Sequence, residues 1–292
     1  DLHVRSRRQR QMCIRDRRYT VPRKVQDVIP VRRIWQDGIF LTGNKFSKTY
    51  QFSDINYLVA SREDKESMFL IYSELLNSLD SGAVTKITIN NRRTNKANFE
   101  NSILMPMQED FRDEYRREYN QMLLDKATGA NGITQEKYIT ISVVKKDIEE
   151  ARAYFSRVGA DLISHFAALG SKCVELDASE RLRILHDFYR QGEEAEFSFD
   201  LAAMAKRGHD FKDYICPDSM EKNSDYVKLG DKFCRVLFLK DFASYIKDNM
   251  VTELTDFNRN LMFSIDVVPV PTDEAVREVE NRLLGVETNS TN

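Results

Sequence analysis

The residues whose types and spacing come nearest to a chemical pattern are Gly38, Gly43 and Lys45. Four residues separate the two glycines, the gap of the phosphate-binding pattern G-x-x-x-x-G-K-[S/T]. The pattern then fails, because Asn44 stands where its lysine belongs and Lys45 where its magnesium-binding hydroxyl belongs. Between the glycines, Ile39, Phe40, Leu41 and Thr42 favour extended backbone, whereas a phosphate cradle turns its amides towards the ligand. Residues 34–41 and 46–52 therefore read as two strands joined by the tight turn Thr42-Gly43-Asn44-Lys45. On this reading the chain holds no nucleotide-hydrolysing loop.

No other residues assemble a catalytic pattern. His165 and His186 fall in helical stretches and His209 follows Gly208 in a loop. None has an H-E-x-x-H partner or an adjacent cysteine nucleophile. Glu193, Glu194 and Glu196 offer carboxylates for a metal or for acid–base work, but consecutive acids at a helix end read first as a solvated patch. Arg92, Arg93 and Lys96, in a polar loop at 90–101, could touch phosphates but lack the interleaved aromatics of a nucleic-acid surface and read first as a solvated loop tip. Cys13, Cys173, Cys216 and Cys234 are scattered without a C-x-x-C pair, so they read as reduced thiols and no zinc is expected. The expectation is that no residue here is catalytic, cofactor-binding or metal-binding.

The elements that would position such residues can be read from composition and period. The chain has 292 residues, 41% hydrophobic and 31% charged, enough for one large globular domain or two ordinary ones. No apolar run reaches the length of a membrane span, about 18 residues or more. The start shows no apolar signal segment. Charge is unevenly spread: residues 1–33 carry eleven Lys/Arg against three acids, a net of +8, which leaves 33 against 43, a net of −10, for the rest. A basic arm of this kind ordinarily addresses nucleic acid or anionic lipid. Residues 6–17, however, resemble a translated sequencing-library adaptor, and the start at Asp1 and end at Asn292 read as those of a truncated reading frame. Residues 1–18 are therefore expected to be non-native or a disordered basic head.

Beyond the hairpin, Ser61 can cap a helix to about residue 79, with Met68, Phe69, Leu70, Tyr72, Leu75, Leu76 and Leu79 on its buried side. Residues 84–90 alternate as a strand, 108–127 form a charged amphipathic helix, and 137–144 alternate with Ile139, Ile141 and Val143 on one face. Asp147 can cap a helix at 148–169 closed by Gly170, and a short strand at 173–176 and a helix at 179–189 follow. Residues 191–224 show the weakest period and read as a linker or long loop. Strands at 226–229 and 232–239, a helix at 241–254, a strand at 261–268 and a helix at 272–284 complete the chain. Gly43-Asn44-Lys45-Phe46 followed by Asp54 recurs as Gly230-Asp231-Lys232-Phe233 followed by Asp241. The fold class expected is α+β, with duplicated hairpin-helix-strand-helix units forming mixed or antiparallel sheets with packed helices. The units would span 19–190 and 225–292.

Residues 37–57, 230–241 and above all 258–287, with the string Asn-Leu-Met-Phe-Ser-Ile-Asp-Val-Val-Pro-Val-Pro at 260–271, resemble the amino-terminal region of conjugative-transfer ATPases, the motors of type IV secretion systems. The resemblance covers about residues 20–292. It implies a non-catalytic docking and assembly region whose parent carries its phosphate loop in a separate motor domain. For that full-length parent it implies ATP and magnesium as cofactors, inner-membrane and channel proteins as partners, and self-association. It also implies a cytoplasmic location, peripheral to the inner face of the membrane. No catalytic residue of the family maps onto this sequence. Two other readings stand beside it: a self-standing nucleic-acid-binding protein using the basic arm, and an enzyme with carboxylate chemistry at Glu193, Glu194 and Glu196.

Overall fold

The structure, a computed structural model, describes residues 22, 24–57, 59–93, 104–129, 133–241, 250–257 and 259–290. The expected basic head at 1–18, Cys13, Lys96 and residues 242–249 of the expected helix at 241–254 lie outside the described residues. A 3-10 turn at Val25–Val28 leads into β1 (Val31–Ile34), β2 (Phe40–Thr42), β3 (Lys45–Phe52), α1 (Arg62–Asn77) and β4 (Ala83–Arg93). Then come α2 (Asp113–Gly129), β5 (Ile133–Val144), α3 (Ile148–Ala168), β6 (Cys173–Glu175) and α4 (Ala178–Tyr189). After these follow α5 (Leu201–Arg207), β7 (Met220–Lys222), β8 (Val227–Leu229), β9 (Lys232–Cys234), α6 (Met250–Thr255), β10 (Leu261–Val267) and α7 (Thr272–Ser290).

This is an α+β fold. Seven strands form one sheet in the order β1-β2-β3-β5-β4-β10, with β6 also paired to β3, and β7-β8-β9 form a second sheet. Every pairing is antiparallel.

The hairpin forms as its turn residues require: Thr42 pairs with Lys45, and Gly43 takes φ +62°. The expected strand at 34–41 is divided, because Trp35–Ile39 is itself a turn, closed by the bonds Trp35 N to Ile39 O and Gly38 N to Trp35 O. Gly38 sits at φ +76°, and a Cβ there would lie 2.0 Å from the Leu176 carbonyl oxygen. Both glycines of the failed phosphate pattern thus serve backbone turns.

One sheet face carries the main core. Phe46 and Tyr50 of β3 and Ile139, Ile141 and Val143 of β5 alternate inward and meet Phe155, Val158, Leu162 and Phe166 of α3. Asp147 caps α3 by accepting the Glu150 amide, and Ser61 caps α1 by accepting that of Asp64, as their positions predict. Met68, Ile71, Leu75 and Leu79 supply the core side of α1. Phe69, Leu70 and Tyr72, expected on that side, are exposed. The buried stripe advances by three or four residues; Phe69 and Leu70 rotate off it, while Tyr72, four residues after Met68, stands at its edge.

Helix α3 approaches β3 at Gly159, where an added Cβ would lie 2.7 Å from the Tyr50 hydroxyl and 2.8 Å from Glu175 Oε1. Gly159→Ala should lower the unfolding free energy by about 2 kcal/mol, since overpacking outweighs the gain in helix propensity. Removing the hydroxyl with Tyr50→Phe should relieve part of that loss, which denaturant unfolding of the four proteins of the cycle would measure.

The other face is covered by α4 and by residues 191–224. That stretch is no linker: Phe197, Phe211, Ile215 and Cys216 join Ile29, Val31, Phe40 and Leu182 in a second core. Its apolar residues are irregularly spaced, so period alone hides their joint burial. Nor does 225–292 stand apart, because β10 pairs with β4 in the main sheet, Ile265 opposite Ile87. Gly43 and Gly230 both head antiparallel hairpins at positive φ, yet Phe46 is buried while Phe233 is exposed, and the two hairpins belong to different sheets.

Burial raises the pKa of the Tyr50 and Tyr138 phenols, takes Tyr154 up to about 12 and pushes the Cys173 thiol up to about 11. Each group holds its proton more firmly folded than unfolded, so its contribution is whole below the ordinary values of 10.0 and 9.0 and is lost as pH rises past them. The melting temperature should therefore fall with rising pH above about 9, with phenolate absorbance appearing together with loss of circular dichroism.

Candidate functional site

The expected polar loop at 90–101 is strand as far as Arg93, because Asn90 and Arg93 pair with Glu136 and Ile133 of β5. Its side chains alternate between the two faces of β4, and Arg92 is on the side that α4 covers. There Arg92 binds Asp187 of α4 and, at 2.7 Å, Glu136. Glu136 also accepts the Tyr138 hydroxyl at 2.8 Å. His186 Nδ1 lies 3.1 Å from Asp187 Oδ1, and its ring packs on Phe197 with centroids 5.0 Å apart. Burial would lower the Arg92 pKa, but Glu136 and Asp187 outweigh it and hold the guanidinium above its usual value. Burial and then Glu136 raise the Tyr138 phenol. Sequence reasoning singled out Arg92 and His186 but brought neither to the other, and it missed Glu136, Tyr138 and Asp187.

A histidine beside an aspartate is half of a general-base arrangement. Here the two side chains are only 4% and 2% exposed, so substrate cannot reach them. The cluster's chemistry is that of a polar clamp between sheet and helix.

Two clefts open elsewhere. One of about 460 Å³ is lined by Arg32, Arg33, Trp35, Met204, His209 and Phe211. The other, of about 350 Å³, contains Arg190, Glu193, Asp218, Ser219, Asp231 and Lys232. In the second, Arg190 pairs with Glu193 at 2.6 Å and Asp218 at 3.0 Å, and Lys232 with Asp231 at 2.8 Å, so both cations are paired and one negative charge is left over. The first has a histidine but no serine or cysteine, and the second a serine but no histidine. His165 lies on α3 with Nδ1 2.8 Å from the Asp161 carbonyl oxygen. Glu194 accepts the Gly192 amide at 2.9 Å, and among the described residues no group of three His, Cys, Asp or Glu is placed to hold a metal. Cys173 and Cys216 are buried thiols and Cys234 is half-buried.

What the fold leaves uncovered is apolar. On α2 and the residue two before it, Phe111, Tyr115, Tyr119 and Met122 form one stripe facing solvent. The helix is tied at its start, where Asp113 accepts the amides of Gln108 and Glu109, and at Asn120, which bonds Met105 N and O at 2.9 Å each. Phe69 and Leu70 on α1 and Val276, Val279 and Leu283 on α7 are exposed as well. Searches against protein-family models and curated proteins find no match for the chain. Among the described residues no helix is long and apolar enough to cross a membrane.

Proposed function

We propose that this chain is the non-catalytic docking and assembly region of a conjugative DNA-transfer ATPase, working against inner-membrane and channel proteins at the cytoplasmic face of the membrane. One observation carries the docking half of this reading: the 17-residue helix α2, tied to the preceding residues 105–109, keeps its aromatic stripe in solvent. An exposed stripe of this kind on a folded chain is the usual mark of a protein contact. The family half rests on the sequence resemblance along residues 20–292. ATP and magnesium belong, in this reading, to a motor domain whose phosphate loop is not among these 292 residues.

Two measurements test it. A photo-crosslinking amino acid at Tyr115 or Val279, in cells carrying the conjugation apparatus, should capture its envelope proteins, and capture of none of them would overturn the docking role. The purified chain should show no magnesium-dependent ATP hydrolysis, and turnover abolished by Lys45→Ala would overturn the hairpin reading of residues 37–57.

A second reading, nucleic-acid binding, draws on Arg32 and Arg33, exposed beside Trp35 and His209 in the larger cleft. It requires DNA affinity that falls steeply with salt and is lost in Arg32→Glu/Arg33→Glu. Deleting the whole arm to residue 33 would not test it, because Ile29 and Val31 are part of the second core.

A further inference from the structure

Three of the most exposed large apolar residues of the described chain are consecutive. Val236, Leu237 and Phe238 are each more than 80% exposed and Leu239 is 56% exposed. They follow β9, which is an edge strand of the three-stranded sheet, and they belong to no helix or strand. An apolar run at a free sheet edge presents unpaired backbone groups and greasy side chains together, which is a template for strand addition. We propose that this segment pairs with the same segment of a second copy of the chain, as antiparallel strands centred on Phe238.

Charge selects both the partner and the register. The run is flanked by Arg235 on one side and by Lys240 and Asp241 on the other. Antiparallel pairing centred on Phe238 sets Arg235 of each copy opposite Asp241 of the other. Leu237 then faces Leu239 twice on the same side of the ribbon. On the opposite side Phe238 meets its own copy on the two-fold axis, flanked by Val236 against the Lys240 stem. Moving the centre to Leu237 or Leu239 sets Arg235 or Asp241 opposite an apolar residue, and centring between Leu237 and Phe238 sets Arg235 opposite Lys240. Parallel in-register pairing stacks Arg on Arg and Asp on Asp. Opposite charges across a strand pair stabilise it and like charges destabilise it, so one arrangement stands out. The side chain of Arg235 is already steadied, since its Nε donates to the Asp225 carbonyl at 3.0 Å. Because each copy supplies the same surface, the contact closes as a dimer and does not propagate.

This inference rests on the assembly half of the proposed function and names a partner for it. Sedimentation equilibrium of the purified chain tests it, with circular dichroism confirming that each variant folds. The wild type should dimerise with concentration. Arg235→Asp alone and Asp241→Arg alone should each weaken the dimer by about tenfold or more, because two attractive contacts become repulsive. The double exchange Arg235→Asp/Asp241→Arg should restore it to within about threefold of wild type, since the pairs are re-formed with their signs reversed. A chain that stays monomeric, or a dimer indifferent to both single exchanges, would overturn the proposal. Neither result touches the capture of envelope proteins at Tyr115 or Val279, so the two readings fail separately.

Discussion

Arg181→Met should lower the unfolding free energy by about 3–5 kcal/mol. Arg181 lies in α4 and is 9% exposed, and no carboxylate pairs with it among the described residues. Its Nη1 donates to the carbonyls of Gly38 and Ser47 at 2.7 Å each, Nη2 reaches the Ser47 hydroxyl at 3.2 Å, and the guanidinium stacks 3.9 Å from the Phe40 ring centroid. Burial drives its pKa down to about 9, with Tyr50 opposing, so at neutral pH it stays protonated and keeps all its donors. Two effects of opposite sign follow from removing it. Methionine relieves the desolvation of a lone cation, which by itself would stabilise. It also strands two carbonyls, one in the turn between β1 and β2 and one in β3, and removes the stacking on Phe40. Each orphaned acceptor costs about 1–3 kcal/mol and a desolvated cation–π contact about 2 kcal/mol, so the loss outweighs the relief. Lysine should rescue only part of the loss: both carbonyls accept from the one nitrogen Nη1, which an ammonium can imitate, but the bond to the Ser47 hydroxyl and the planar stacking on Phe40 are lost. The denaturant midpoint decides the matter, and an Arg181→Met protein as stable as wild type would show that the fork is dispensable.

The parts of this fold legible in the sequence are those fixed by near neighbours. Ser61 and Asp147 cap their helices through amides three residues on, so the motif and the structure are the same few atoms. The Thr42-Gly43-Asn44-Lys45 turn likewise needs only Gly43 at positive φ. The alternation of Ile139, Ile141 and Val143 marks a buried face because a strand has period two. The same logic misleads where partners are distant. Asn90, Arg92 and Arg93 looked like a loop tip because polar residues in a strand resemble polar residues in a loop. Arg92 is held by Glu136, 44 residues away, and Asp187, 95 residues away, and nothing local announces either. The apolar beat of Ile87 and Ile89 stops before Asn91, so no period marks the end of the strand, although its backbone stays paired with β5 through Arg93. For residues 191–224 there was no signal either, since Phe197, Phe211 and Ile215 are buried by a second core that no periodic pattern describes.

Asp187→Ala should be the next most damaging substitution, at about 2–4 kcal/mol. The Asp187 side chain is 2% exposed and accepts from Arg92 while Oδ1 lies 3.1 Å from His186 Nδ1. Its loss leaves Arg92 to Glu136 alone and leaves the enclosed His186 nitrogen without its neighbour. Arg92 is 30% exposed, so water can take up part of the vacated pairing, which holds the expected cost below that of a fully enclosed ion pair. Asp187→Asn keeps an acceptor of the same shape but removes the charge, and should cost about half as much. Glu136→Gln should cost less again, because Glu136 is 20% exposed and its amide can still accept from both Arg92 and Tyr138. This order, alanine above asparagine above the change at position 136, follows from a clamp whose strength depends on enclosure. A His–Asp pair kept for proton transfer predicts the opposite: Asp187→Ala would leave the denaturant midpoint near wild type and change only a reaction. A stable Asp187→Ala protein would therefore remove the clamp, although the enclosure of His186 would still keep substrate from it.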